Sequence, residues 1–197
     1  QHSQTLYAWF AHVPGVKVCV SATPYDAKGL MISSIRDPNP VIIFEDKSLY
    51  SLKGEVPEEE YVVPLGEADV KREGEDVTII ALARMVHLAL KAADQLAQEG
   101  VSLEIVDPRS LVPLDKDVIL KSVAKTGRLV VVDIAHKTCS AASEIASLVA
   151  EEGFWDLRAP IMRVTTPSVH VPFSPPLEKI LYPNVEKVVA AARATLE

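Results

Sequence analysis

The apolar positions of the chain follow two rhythms, one of period two and one of three to four, and these alternate along almost the whole length. Leu6, Trp9 and Phe10 stand at helical spacing within residues 3–12, and Pro14-Gly15 stops that helix before Val16-Lys17-Val18-Cys19-Val20, which alternates as a strand does. Thr23-Pro24-Tyr25-Asp26 places a capping hydroxyl ahead of a proline at the first helical position, and predicts a helix through Leu30, Met31 and Ile35. Asp37-Pro38-Asn39-Pro40 ends it, and Val41-Ile42-Ile43-Phe44 is the next strand. Strand, helix and strand in so short a span predict a βαβ unit with parallel strands and a right-handed crossover.

Residues 46–69 interrupt the rhythm, with Gly54, Pro57, Pro64 and Gly66 around the acidic Glu58-Glu59-Glu60, and read as a linker between a first unit, 1–45, and a second, 70–197. The second unit restarts with a strand over 77–82 and a helix whose one face carries Met85, Leu88, Ala89, Ala92 and Leu96, stopped by Gly100. A strand over 103–106 follows, then a helix through Val118, Ile119 and Val123 that Gly127 ends. Leu129 to Val132 is apolar on both faces, the pattern of a central parallel strand covered above and below. A helix over 140–154, a short strand over 161–164 and a terminal helix with Val185, Val188, Val189, Ala192 and Leu196 inward complete an α/β fold of three layers, α/β/α.

Composition narrows the function classes. At 197 residues and 48% hydrophobic the chain can bury a sizeable core. Its net charge of −7, with acids spread along the sequence, gives no electrostatic footprint for nucleic acid or an anionic membrane, so neither is expected as a partner. No apolar run approaches the roughly 20 residues needed to span a bilayer, and no basic region with an apolar core opens the chain. Cys19 and Cys139 lack metal or redox spacing and read as free thiols of a reducing, cytoplasmic compartment. His12, His87, His136 and His170 fall in separate elements without ligand spacing and read as structural or surface residues. Cys139 precedes a helix, where a thiol pKa falls, but no motif makes it a nucleophile. Asp107 and Arg109, at the end of a strand, suit fixing a loop and a subunit contact better than catalysis.

Four stretches carry a resemblance: Gln1-His2-Ser3-Gln4 with Ala8-Trp9-Phe10-Ala11-His12; Thr23-Pro24-Tyr25-Asp26-Ala27-Lys28-Gly29-Leu30 with Ile35-Arg36-Asp37; Asp107-Pro108-Arg109-Ser110-Leu111-Val112-Pro113-Leu114-Asp115; and Pro172-Phe173-Ser174-Pro175-Pro176-Leu177-Glu178. In that order they resemble the beta subunits of the thiamine-diphosphate-dependent first component of 2-oxo acid dehydrogenase complexes, of pyruvate or acetoin dehydrogenase type. The resemblance implies that residues 1–45 end a pyrimidine-binding domain, and that 70–197 form a transketolase C-terminal-type domain with a mixed, mostly parallel five-stranded sheet. It implies oxidative decarboxylation of a 2-oxo acid, or acetoin cleavage, with acyl transfer to lipoate. An upstream part of the chain is expected to supply a glutamate and an aromatic to the aminopyrimidine. A partner alpha subunit is expected to hold the diphosphate and magnesium, so that these residues alone are expected neither to bind the cofactor nor to act.

Carried over residue by residue, His2 matches the family histidine that faces the substrate. A group titrating near neutrality can give a proton or hydrogen bond to an alkoxide developing there. Ser34, Ile35, Asp37 and Asn39 match a turn whose carbonyls hold a structural potassium ion in family members, although Asp-Pro-Asn-Pro is sufficient as a turn without one. Expected partners are the alpha subunit, a second beta subunit in a symmetric dimer, and the peripheral subunit-binding domain of the dihydrolipoamide acyltransferase. His136-Lys137-Thr138-Cys139-Ser140-Ala141-Ala142-Ser143 replaces a stretch that is glycine-rich in many relatives, and with Val171-Pro172-Phe173-Ser174-Pro175 it looks closer to acetoin dehydrogenases. Pyruvate, branched-chain 2-oxo acids and acetoin all stay open as substrates. An assembly and core-docking module, or the C-terminal part of a transketolase or deoxyxylulose-phosphate synthase, are the alternatives. The opening Gln1-His2-Ser3-Gln4 and the Pro-Phe-Ser-Pro-Pro segment speak against the last.

Overall fold

The computed structural model describes residues 3–197. A smaller sheet is built first, from β1 (Lys17–Val20) and β2 (Val41–Phe44) in parallel, joined by α2 (Pro24–Arg36). Thr23 caps α2, its hydroxyl accepting from the Asp26 amide at 3.1 Å, as the Thr-Pro signal predicts. The opening helix α1 is shorter than the spacing suggests, Tyr7–Ala11, and it is Tyr7 that is buried while Trp9 is 72% exposed.

The larger sheet has five strands in the order β3-β5-β4-β7-β8, comprising β3 (Asp69–Arg72), β4 (Val77–Ala81), β5 (Leu103–Asp107), β7 (Leu129–His136) and β8 (Met162–Thr166). Only the edge strand β3 runs antiparallel, against β5, so the sheet is mixed and mostly parallel as expected. One face, with Ile79, Ile105 and Val132, packs against α3 (Met85–Ala97) and α7 (Val185–Ala194). The other, with Ile80, Val106 and Val131, packs against α4 (Lys116–Thr126) and α5 (Ala141–Glu152). This is the three-layer arrangement, and Leu129 to Val132 is buried on both sides. Gly127 closes α4 in the left-handed conformation, φ 73°, its amide donating to Val123 at 2.7 Å.

Three elements carry no sequence signal strong enough to predict them. β3 has three charges in four residues, β6 (Ser110–Val112) has three residues, and α6 (Pro175–Leu181) opens on two prolines. β6 matters most: it leaves the end of β5 and pairs antiparallel with β1, giving the smaller sheet the order β2-β1-β6. A strand of the second unit thus completes the sheet of the first. Residues 61–63 lie along α2 because residue 29 is glycine, where a Cβ would meet Val63 Cγ2 at 2.4 Å.

Candidate functional site

The two sheets turn the carboxyl ends of their parallel strands toward a shared cleft, the position where ligands bind in open α/β sheets. A cavity of about 380 Å³ lies there. From the first unit it takes Ser3, Gln4 and Thr5, Tyr7, and the end of β2 from Phe44 into the short 3-10 turn at Lys47–Leu49; from the second it takes Arg84, Ile134, Glu178 and Tyr182. His2 lies outside the described residues, immediately before Ser3 in the chain.

Each of the three central strands ends in a non-glycine residue with left-handed backbone: Ala83 (φ 50°) after β4, Arg109 (φ 57°) after β5 and Cys139 (φ 49°) after β7. Such residues are uncommon and cluster where surrounding structure must hold a strained turn. Ala83 turns the chain into α3 and so delivers Arg84 to the cleft. There the Arg84 Nε stands 3.3 Å from Asp46 Oδ2, and its guanidinium carbon 5.0 Å from the Tyr182 ring centre.

Behind the cleft the units are joined by two different junctions. At one, Tyr7 donates its hydroxyl proton to Asp133 Oδ1, which also accepts from the Ala135 amide at 2.9 Å. Tyr7 packs edge-on against Phe44, and its neighbours Val18, Val20, Leu82, Ala83, Ala135 and Ala141 make the surroundings apolar. Burial is the main force on Asp133, against backbone amides that favour the charge, and pushes its carboxyl up to about 7.

At the other junction five charges meet. Asp26, fully buried in the first turn of α2, takes Lys71 at 2.8 Å on Oδ2 and faces Arg109 at 2.7 Å from Oδ1, the latter an ion pair out of line for a hydrogen bond. Lys71 also reaches Asp69 at 2.7 Å and Asp107 at 3.7 Å, and Arg109 reaches Asp69 at 2.9 Å. Burial alone would raise Asp26, but Lys71 and Thr23 outweigh it and hold the carboxyl below its usual range. Burial likewise opposes the charge on Lys71, and the hydrogen bonds it donates to Asp26 and Asp69 overcome it and raise its pKa. For Asp107 burial wins over Lys71 and the Arg109 amide, and the group titrates at about 7.

The other residues read from sequence fall as follows. Ser34, Ile35, Asp37 and Asn39 lie together at the end of α2. The Asp37 carboxylate is committed to Lys17 at 2.5 Å and to the Asn39 backbone and side-chain amides at 2.9 and 3.0 Å; Lys17 foremost holds its pKa low. The Ser34 carbonyl takes the Asp37 amide at 3.4 Å, and no turn hydrogen bond among the described residues uses the carbonyls of Ile35, Asp37 or Asn39. Cys19 and Cys139 are both free, the first buried and the second exposed. His87 and His136 each meet a backbone carbonyl at 2.8 Å, of Ala22 and of Pro167. Asp107 and Arg109 do fix the loop, through the bond from the Arg109 amide to Asp107 Oδ1 at 3.0 Å. The sequence does not single out Tyr7, Lys71, Arg84, Asp133 or Tyr182, and it marks Asp26 only as part of a helix start; each is defined by a partner remote in the chain. No helix among the described residues is long and apolar enough to cross a membrane.

Residues 66–188 match the transketolase C-terminal domain, and residues 1–53 the transketolase pyrimidine binding domain. The chain belongs to the transketolase C-terminal domain family. Within this family it is 53% identical over 190 residues to the beta subunit of an acetoin:2,6-dichlorophenolindophenol oxidoreductase of Bacillus subtilis, covering 96% of this chain and 56% of the relative. The corresponding subunit of Cupriavidus necator is 52% identical over 197 residues, covering 100% and 58%. The beta subunit of the pyruvate dehydrogenase E1 component of Bacillus subtilis is 47% identical over 197 residues, covering 100% and 60%. The chain therefore spans less than two thirds of the length of these relatives. A solved split-gene transketolase, described as an inactive beta4 tetramer, superposes with a TM-score of 0.81 at 28% identity, covering 96% of this chain and 60% of that one.

Members of this transketolase family act with thiamine diphosphate, and its metal can be tested against the donors present. Among the described residues no group of three or more His, Cys, Asp and Glu side chains is arranged to hold a metal ion. The clustered aspartates Asp26, Asp69 and Asp107 are already paired with Lys71 and Arg109. The carboxylates of the described residues therefore offer magnesium no ready-made site.

Proposed function

We propose that this chain forms one wall of the active-site cleft in the beta subunit of a thiamine-diphosphate-dependent dehydrogenase, assembled with alpha subunits, that passes an acyl unit to lipoate. The observation that carries this reading is the cleft at the carboxyl ends of both sheets, lined by the residues that directly follow His2. Acetoin is the favoured substrate, pyruvate or a branched-chain 2-oxo acid the next; the higher identity to the two acetoin-acting relatives supports that order.

The coenzyme, where bound, supplies the nucleophilic carbon. His2 contributes a proton or hydrogen bond to the oxygen that becomes negative, the work for which an imidazole near neutrality is suited. The alpha subunit holds the diphosphate and magnesium, and the carbonyls of Ser34, Ile35, Asp37 and Asn39 hold potassium as a brace at the end of α2.

The test is the beta subunit carrying this sequence, co-expressed with its alpha subunit and assayed by reduction of 2,6-dichlorophenolindophenol with acetoin or pyruvate. His2→Ala should lower kcat by roughly 100-fold or more, the scale of losing an acid–base group; unchanged turnover sinks the assignment. A second reading, an assembly module that pairs beta subunits and docks the acyltransferase's peripheral subunit-binding domain, is supported by the exposed Phe173, Leu177 and Ile180 about α6. Sedimentation of the chain as a clean monomer, with no binding of that domain, would remove it.

A further inference from the structure

Residues 167–183 differ from the rest of the second unit. Five prolines punctuate them, at 167, 172, 175, 176 and 183, and no residue of α6 is buried. The segment is tied down at its two ends. At the start, His136 Nδ1 donates to the Pro167 carbonyl at 2.8 Å, and the hydroxyls of Thr138 and Ser168 stand 3.2 Å apart. At the finish, Lys187 Nζ caps α6 through the carbonyls of Ile180, Leu181 and Tyr182 at 2.8, 3.2 and 2.9 Å, and Pro183 is buried. Between those ties Phe173 is fully exposed, while Glu178 and Tyr182, one helical turn apart, form part of the cleft wall.

A segment with fixed ends and an unburied middle, lying against a cavity, has the mechanical form of a cover. Its inward contact is Tyr182, and the group Tyr182 meets is Arg84. Arg84 in turn is paired with Asp46, which follows β2 in the first unit. One side chain therefore links three of the parts that enclose the cavity: the end of β2, the turn from β4 to α3, and the 167–183 segment. An arginine suits this, since its flat, permanently charged guanidinium can stack on a ring with one surface and pair with a carboxylate along its edge.

We propose that residues 167–183 are a strap closing the cleft and that Arg84 is its latch, a positioning residue that holds Tyr182 over the cavity while anchored to Asp46. The functional part of this rests on reading the cleft as the place where ligand binds. The strap moves away when the guanidinium loses either partner, because nothing else in its middle is buried. Closed, it narrows the mouth of the cavity; open, it widens access to the wall of Ser3, Gln4 and Thr5.

Hydrogen–deuterium exchange on this chain without ligand tests the latch. Arg84→Met and Tyr182→Leu should each speed exchange across 170–182 roughly 3- to 10-fold, the size of a partly buried cation–ring contact, while β4 and β7 keep their protection. Tyr182→Leu acts from the exposed side and serves if Arg84→Met fails to fold. Arg84→Lys, which keeps a cation for the ring and for Asp46, should return exchange to within about 2-fold of wild type. No local acceleration in either variant, or acceleration spread equally over β4 and β7, overturns the proposal. In the assembled enzyme Arg84→Met should raise KM for the small substrate several-fold with kcat nearly unchanged; a fall in kcat at constant KM also overturns it. If the wild-type assembly turns over neither acetoin nor pyruvate, the functional reading fails and the exchange experiment alone decides the latch.

Discussion

The two junctions behind the cleft solve one problem in opposite ways. Both join the first unit to the carboxyl half of a strand flanking β4, and both bury an aspartate pushed up to about 7. Around Asp107 the surroundings are ionic, with Asp26, Asp69, Lys71 and Arg109. Around Asp133 they are apolar, and a phenol hydroxyl is the side-chain partner. The difference teaches that burial dominates both carboxyls, whereas the cost of losing a partner should differ greatly. A cation removed from among buried aspartates leaves charge unpaired, while a hydroxyl removed leaves only an acceptor unpaired.

The largest effect expected is from Lys71→Met. With Asp26 and Asp107 buried beside it, the variant should lose about 3–5 kcal/mol in urea unfolding at pH 8, the range for breaking a buried charge pair. A loss under 1 kcal/mol would mean that Arg109 alone neutralises the cluster, and the contrast would collapse.

Next comes the pH dependence of the apolar junction. The folded Asp133 carboxyl at about 7 stands above the ordinary 3.8, so the unfolded chain gives up its proton first. As pH rises from about 4 to 7 stability should therefore fall, levelling off above 7; below about 4 this contribution is fully present and does not change with pH. The gap corresponds to at most about 4 kcal/mol. Asp133→Asn keeps an oxygen for Tyr7 and cannot ionise. It should be more stable than wild type at pH 8 and flatten the slope between pH 5 and 8, leaving the part due to Asp107. An unchanged slope would show that Asp133 is ionised throughout.

Tyr7→Phe sharpens the comparison further. It keeps the ring against Phe44 and should cost about 1–2 kcal/mol by chemical denaturation at pH 8, well below Lys71→Met. The smallest effect is at the edge of the ionic junction. Thr23→Ala removes both the cap of α2 and the hydroxyl 2.5 Å from Asp26 Oδ2, for about 1 kcal/mol in the same measurement.

Much of the architecture was legible because it repeats. Val16 to Val20, the Thr-Pro start of α2, the apolar stripe of α3 and the doubly apolar Leu129 to Val132 each state their element in a short window. β6 was not, because Ser110–Val112 becomes a strand only through β1, some ninety residues earlier in the chain. β3 was hidden by the very charges, Asp69 and Lys71, that build the ionic junction. The site follows the same division. The Asp37-Pro38-Asn39-Pro40 turn could be placed from local signals, whereas its role in holding an ion and the role of His2, which falls outside the described residues, were assigned by resemblance. Asp133 could not be picked out, since an aspartate at the end of an apolar strand acquires meaning only when Tyr7 arrives from 126 residues away.

A strand that starts in one unit and finishes in the sheet of the other has a mechanical consequence. β6 ties the smaller sheet to the larger like a splice between two ropes, so neither can be drawn off without unravelling the seam first. Heating should melt both together in a single step, and a ligand that grips either side of the gap should raise the melting temperature of the whole.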